Sequence, residues 1–134
     1  MCIRDRLYHA VETNPNLAEV FIQQLQALHS DIGVFCLAGG RFAETARVAG
    51  LTVWEELFAD RGYYADGCLI PRGQSGAIMD SVSAAVERMR AWLATGAMTT
   101  AAGGRIVLNG QTVCVHSDSS DAVQLLTALR ELIG

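Results

Sequence analysis

An apolar run over residues 51–59 ends abruptly on an acid and a guanidinium, Asp60-Arg61. A second run, Thr112-Val113-Cys114-Val115, ends in the same way on His116-Ser117-Asp118. Runs this short have the length of buried strands, not of membrane spans. A chain with two such strands, each delivering polar side chains at its C-terminal end, is constrained towards an open α/β sheet or a β/α barrel. In both architectures ligands bind along that edge.

The intervening segments fit this pattern. Asn14-Pro15 reads as a capping side chain with proline just inside a helix. Leu17, Val20, Phe21, Leu25 and Leu28 then recur at helical spacing, which predicts an amphipathic helix over 15–29. Residues 32–37 read as a strand buried on both faces. Residues 41–49 read as a short helix closed by Gly50. Glu55 and Glu56 interrupt the apolar character of the next strand, 51–59. Residues 60–79, rich in glycine, form a long loop of the kind that often carries function. Asp80 or Ser81 caps a helix running to about Ala94, with Val82, Val86, Met89 and Leu93 on one face. Gly103-Gly104 marks a turn. Residues 106–108 and 111–115 are expected to form a hairpin through the tight-turn pair Asn109-Gly110. A last helix starts near Ser119 or Ser120 and carries Ala122, Val123, Leu126, Leu129 and Leu132. Alternating helices and strands argue for a parallel sheet.

Composition removes several function classes. The chain has 134 residues, of which 51% are hydrophobic and 18% charged, enough for one real core. The net charge is -4 and no basic patch interleaves with aromatics, so nucleic acid is excluded as a partner. Every one of the ten basic residues is arginine, which excludes Schiff-base or Walker-type lysine chemistry in this chain. The four cysteines make no C-x-x-C pair, and a reduced, cytoplasmic setting fits them best. No run is long enough for a membrane helix. Residues 1–6, Met1-Cys2-Ile3-Arg4-Asp5-Arg6, show no periodicity and read as a non-native leader joined to a domain over 7–134.

The polar strand ends supply the candidate site. Arg61 can hold a carboxylate or phosphate through its planar fork, with Asp60 as acid/base group; the alternative is a local ion pair. His116 and Asp118 point to the same face if extended, which suits a base with its orienting carboxylate or a pair of metal ligands. Asp118 is equally placed to cap the last helix. Arg72, after Pro71, can reach over the site as a second anion contact or pin the loop, and Tyr63 can line a pocket or pack the loop.

Beyond this physical reading, Glu56-Leu57-Phe58-Ala59-Asp60-Arg61-Gly62-Tyr63, Asp66-Gly67, Leu69-Ile70-Pro71-Arg72 and Gly76-Ala77-Ile78 resemble the E-x-F-A-D-R-x-Y…D-G-x-L-x-x-R…G-A motif of the LamB/YcsF family. Val113-Cys114-Val115-His116-Ser117-Asp118 resembles that family's C-V-H-G-D, with Ser117 in place of glycine. Leu7-Tyr8 resembles the end of its K-P-H-G-A-L-Y motif, with His9 where asparagine is usual. The resemblance implies the C-terminal half of a β/α barrel of the glycoside hydrolase/deacetylase type, truncated at its N-terminus. It also implies ATP-dependent opening of 5-oxoproline to L-glutamate, in a 5-oxoprolinase whose A subunit works with subunits B and C. ATP would activate the lactam by phosphorylating the amide oxygen. On that reading Asp60, His116 and Asp118 are catalytic, Arg61, Arg72 and Tyr63 bind substrate, and no metal ligand is assigned. A half barrel would be inactive alone, with exposed strand edges. Two other readings stay open: a metal-dependent deacetylase or amidohydrolase on a related barrel, and a non-catalytic assembly subunit.

Overall fold

The structure, a computed structural model, describes residues 3–29 and 31–134, with side chains from Arg6 onward. Met1 and Cys2 of the expected leader lie outside the described residues. The chain divides into two compact units, Met1–Glu56 and Leu57–Gly134.

In the first unit, helix α1 (Ile3–Thr13) precedes α2 (Pro15–Leu28), β1 (Gly33–Leu37), α3 (Arg41–Val48) and the start of β2 (Thr52–Phe58). The sequence pattern does not announce α1, which begins inside the segment expected to be a leader. Helix α2 starts where the sequence places it. The Asn14 side chain accepts from the Leu17 N–H at 3.1 Å, and Pro15 needs no donor there. Strands β1 and β2 pair in parallel, Gly33 opposite Thr52 through Leu37 opposite Glu56. Burial on both faces holds only for the end of β1, Cys36 and Leu37. Phe35 is 53% exposed and stacks on Trp54. The core of this unit joins Val11, Ala18, Ile22, Cys36, Phe42 and Leu51. The two acidic residues of β2 are tolerated because each is engaged. Glu55 accepts from the Gly39 N–H and pairs with Arg47. Glu56 is buried beside Tyr8, and burial first, then Glu56, pushes the Tyr8 hydroxyl pKa far up.

In the second unit, the end of β2 is followed by α4 (Val82–Thr95), β3 (Ala97–Thr99), β4 (Arg105–Val107), β5 (Thr112–Cys114) and α5 (Ala122–Ile133). Ser81 caps α4 by accepting from the Ala84 N–H at 3.2 Å. Gly96 closes α4 in the left-handed region, φ 69°, a conformation that disfavours side chains. The buried face of α4 is Ala85, Arg88 and Met89, so the expected apolar stripe is displaced; Leu93 is 47% exposed.

The expected hairpin is corrected. Strand β4 pairs antiparallel with β3, Met98 opposite Ile106, around the turn that ends in Gly103-Gly104. Thr100 and Gly104 close that turn by an N–H to carbonyl bond of 2.9 Å. Strand β5 lies instead beside β2. Asn109-Gly110 does not join two paired strands. A Cβ at Gly110 would sit 2.4 Å from Leu57, so the position is glycine because a core side chain presses on it.

The 60–79 segment is a loop without regular strands, yet it is not a solvated one. Tyr63, Leu69, Ile70 and Ala77 are buried. Two isolated bridges, Arg61 with Ile78 and Tyr63 with Leu69, fold it back on itself. At Gly62 the chain crosses so closely that a Cβ would lie 1.8 Å from the Gly76 carbonyl oxygen. Among the described residues no helix is long and apolar enough to cross a membrane.

Candidate active site at two strand ends

Strands β2 and β5 end on Phe58 and Cys114, and two residues beyond each end stand Asp60 and His116. The Ala59 N–H donates to the Cys114 carbonyl at 3.3 Å, which keeps the two strand ends side by side. The charged tips therefore meet. His116 Nδ1 lies 2.9 and 3.0 Å from the two Asp60 carboxylate oxygens. Both side chains are largely shielded, at 14% and 15% exposure. The imidazole also stacks on Phe58, with centroids 5.6 Å apart, which fixes the plane of the ring.

The electrostatics of Asp60 are a contest that its partner wins. Burial alone would raise the carboxyl pKa. Hydrogen bonding and charge from His116, together with backbone donors, more than offset that and hold it below the ordinary carboxylate range. An ionised Asp60 facing Nδ1 selects the tautomer with the proton on Nδ1, which makes Nε2 the basic nitrogen of a neutral ring.

The other expected site residues fall into two groups. Arg72 and Asp118 meet each other, Nη1 to carboxylate oxygen 2.9 Å, and so tie the loop to the segment after β5. Asp118 therefore does not cap the last helix; the N-cap position is Asp121, whose side chain makes no capping bond. Arg61 and Tyr63 lie inside. The Arg61 guanidinium donates to the carbonyls of Ala77 at 3.0 Å and Ile70 at 2.7 Å, bracing the loop from within. Tyr63 has no exposed surface, and its hydroxyl accepts from the Phe58 N–H at 2.8 Å. Those placements suit a frame for the loop rather than a wall that a solute reaches. Among the described residues no three His, Cys, Asp or Glu side chains are grouped to hold a metal ion. His116 faces Asp60, whereas Asp118 faces Arg72.

One residue escapes the sequence reading. Arg88, on α4, is buried and donates from Nη1 to the Arg61 carbonyl at 2.7 Å and from Nη2 to the carbonyls of Phe58 at 2.9 Å and Ala59 at 2.6 Å. Its guanidinium lies 5.6 Å from the centre of the Tyr63 ring. Burial lowers its pKa, and Tyr63 and Asp60 oppose that fall. The sequence did carry a signal: Arg88 sits on the helix face that holds Ala85 and Met89, where a solvated arginine does not belong.

Fold and site together define a mixed α/β protein with a parallel sheet whose ionisable groups converge at strand C-termini. The model of the LamB/YcsF family matches residues 3–134. The A subunit of 5-oxoprolinase from Mycobacterium avium (strain 104) is 38% identical over 125 residues, covering 93% of this chain and 50% of the relative. Its counterpart from Limosilactobacillus fermentum is 34% identical over the same shares. The crystal structure of a lactam utilization protein from Thermus thermophilus superposes with a TM-score of 0.81 at 27% identity, covering 95% of this chain and 50% of that one. The chain belongs to the LamB/YcsF family. It spans about half the length of the relatives it matches.

Proposed function

We propose that this chain carries the proton-handling part of a 5-oxoprolinase A subunit, acting within a β/α barrel on 5-oxo-L-proline together with ATP and with partner subunits B and C. The observation that carries the reading is the shielded Asp60–His116 pair at the ends of two neighbouring strands. A lactam resists water for two reasons: its carbonyl is a weak electrophile, and its nitrogen is a poor leaving group until protonated. Phosphorylation of the amide oxygen by ATP addresses the first. The second calls for a base that can turn into an acid. With Asp60 accepting from the Nδ1 N–H, His116 takes a proton from the attacking water at Nε2 and returns it to the ring nitrogen as the C–N bond breaks; this leaves a γ-glutamyl phosphate, from which a second water displaces inorganic phosphate to give glutamate. Asp60 stays ionised throughout and stabilises the imidazolium. Arg72 exchanges Asp118 for the substrate carboxylate, and Asp118 orients the incoming water. Arg61 and Tyr63 keep the loop in place beneath them.

The test is ATP-dependent glutamate release by the assembled enzyme carrying His116→Ala or Asp60→Asn. Loss of a general acid–base group lowers turnover by about 10²- to 10⁴-fold. Turnover within about twofold of the parent in both variants would remove the pair from the chemistry.

A further inference from the structure

We infer that Arg88 is a positioning residue: by clamping the carbonyls on either side of Asp60, it aims the Asp60 carboxylate at His116. The functional meaning of this inference rests on the acid–base reading above; the geometry stands without it.

The bonds of Arg88 are not spread over the molecule. They fall on Phe58, Ala59 and Arg61, the residues that bracket Asp60. The Ala59 carbonyl belongs to the peptide that enters Asp60, and the Arg61 carbonyl lies one residue beyond it. Holding both from one rigid group restricts rotation about the Asp60 backbone, and with it the direction of the Cα–Cβ bond. The Phe58 end is held twice over, since its N–H donates to Tyr63 and its carbonyl accepts from Arg88. Phe58 is also the ring on which His116 stacks. Both members of the pair are thus referred to one guanidinium, Asp60 through the peptide that enters it and the carbonyl one residue beyond, and His116 through Phe58.

Arginine is required for geometric reasons. The two terminal nitrogens of a planar fork reach separate acceptors at fixed spacing; a lysine ammonium is a single point. A cation buried only for packing would be better replaced by an apolar side chain of similar volume. Three carbonyl acceptors at 2.6–2.9 Å explain why it is kept.

The experiment reads the Nδ1 proton of His116 by NMR in the 134-residue chain, as its downfield resonance and its exchange rate with water. Asp60→Ala is the control that removes the acceptor and abolishes the protected signal. Arg88→Lys is expected to retain the dispersed amide spectrum while the Nδ1 proton exchanges about tenfold faster, the change that accompanies about 1.4 kcal/mol of lost bond strength. Arg88→Met is expected to lose the signal. If Arg88→Met does not fold, Arg88→Lys decides alone. An unchanged signal and exchange rate in folded Arg88→Lys overturns the inference. Should the signal respond to Arg88 while Asp60→Asn leaves enzyme turnover intact, Arg88 still positions Asp60 and the catalytic reading is what falls.

Discussion

Replacing Asp60 by asparagine sets two opposed effects against each other. Burial of the carboxylate is unfavourable, and asparagine relieves it. The bond from His116 favours the carboxylate, and asparagine weakens it. The lowered pKa of Asp60 says that His116 and the backbone donors together outweigh the burial, so the substitution destabilises the fold. A hydrogen bond to a charged group contributes about 1.5–3 kcal/mol and a neutral one about 1, so exchanging the first for the second costs about 1–2 kcal/mol near pH 7. At 15% exposure the carboxylate is only weakly screened by solvent. The sign with pH follows from the direction of the shift. A carboxyl whose folded pKa lies below its unfolded value of about 3.9 contributes fully above that value and loses the contribution as pH falls through the folded pKa. Urea unfolding of parent and Asp60→Asn, followed by circular dichroism from neutral pH into the acid range, should show a gap that closes once Asp60 is protonated. A gap that persists unchanged in strong acid, or an asparagine variant that is the more stable at neutral pH, would refute the reasoning that His116 and the backbone donors together outweigh burial.

Three further outcomes are expected. Gly62→Ala places a methyl group on the Gly76 carbonyl oxygen, backbone against backbone, and should cost about 3 kcal/mol or more in the same unfolding assay. Arg72→Gln removes an ion pair whose acid is 55% exposed, so unfolding free energy should change by less than about 1 kcal/mol; on the proposed function, the KM for 5-oxoproline should rise much more than that small change suggests. The Cys36 thiol is fully buried and its pKa is pushed up to about 12 by burial, so iodoacetamide at mildly alkaline pH should leave it unmodified until the chain is unfolded.

Local chemistry was the legible part. Asn14-Pro15 and Ser81 announce helix starts because a cap is a bond within a few residues, and both bonds are present. Asp60 and His116 were legible for a similar reason: each follows directly from the strand that delivers it. Pairing across distance was not legible. Asn109-Gly110 has the composition of a tight turn, but the partner of β4 is decided by β3, whose Ala97-Met98-Thr99 is too short to stand out as a strand. The 60–79 loop hid its burial because its core residues lack any period. Arg88 was hidden by a general expectation that charged helix residues face water. Arg61 reads in the sequence as an anion contact and Tyr63 as a residue that lines a pocket or packs the loop, but nothing there says that their polar atoms turn inward to carbonyls and an amide.

The two tryptophans of the chain fall one in each compact unit. Trp54 is half open to solvent against Phe35, whereas the Trp92 indole donates to the Leu108 carbonyl at 2.8 Å. Replacing either one by phenylalanine leaves a single intrinsic fluorophore, so emission during denaturation can time the melting of each half independently and reveal whether they come apart together or in sequence.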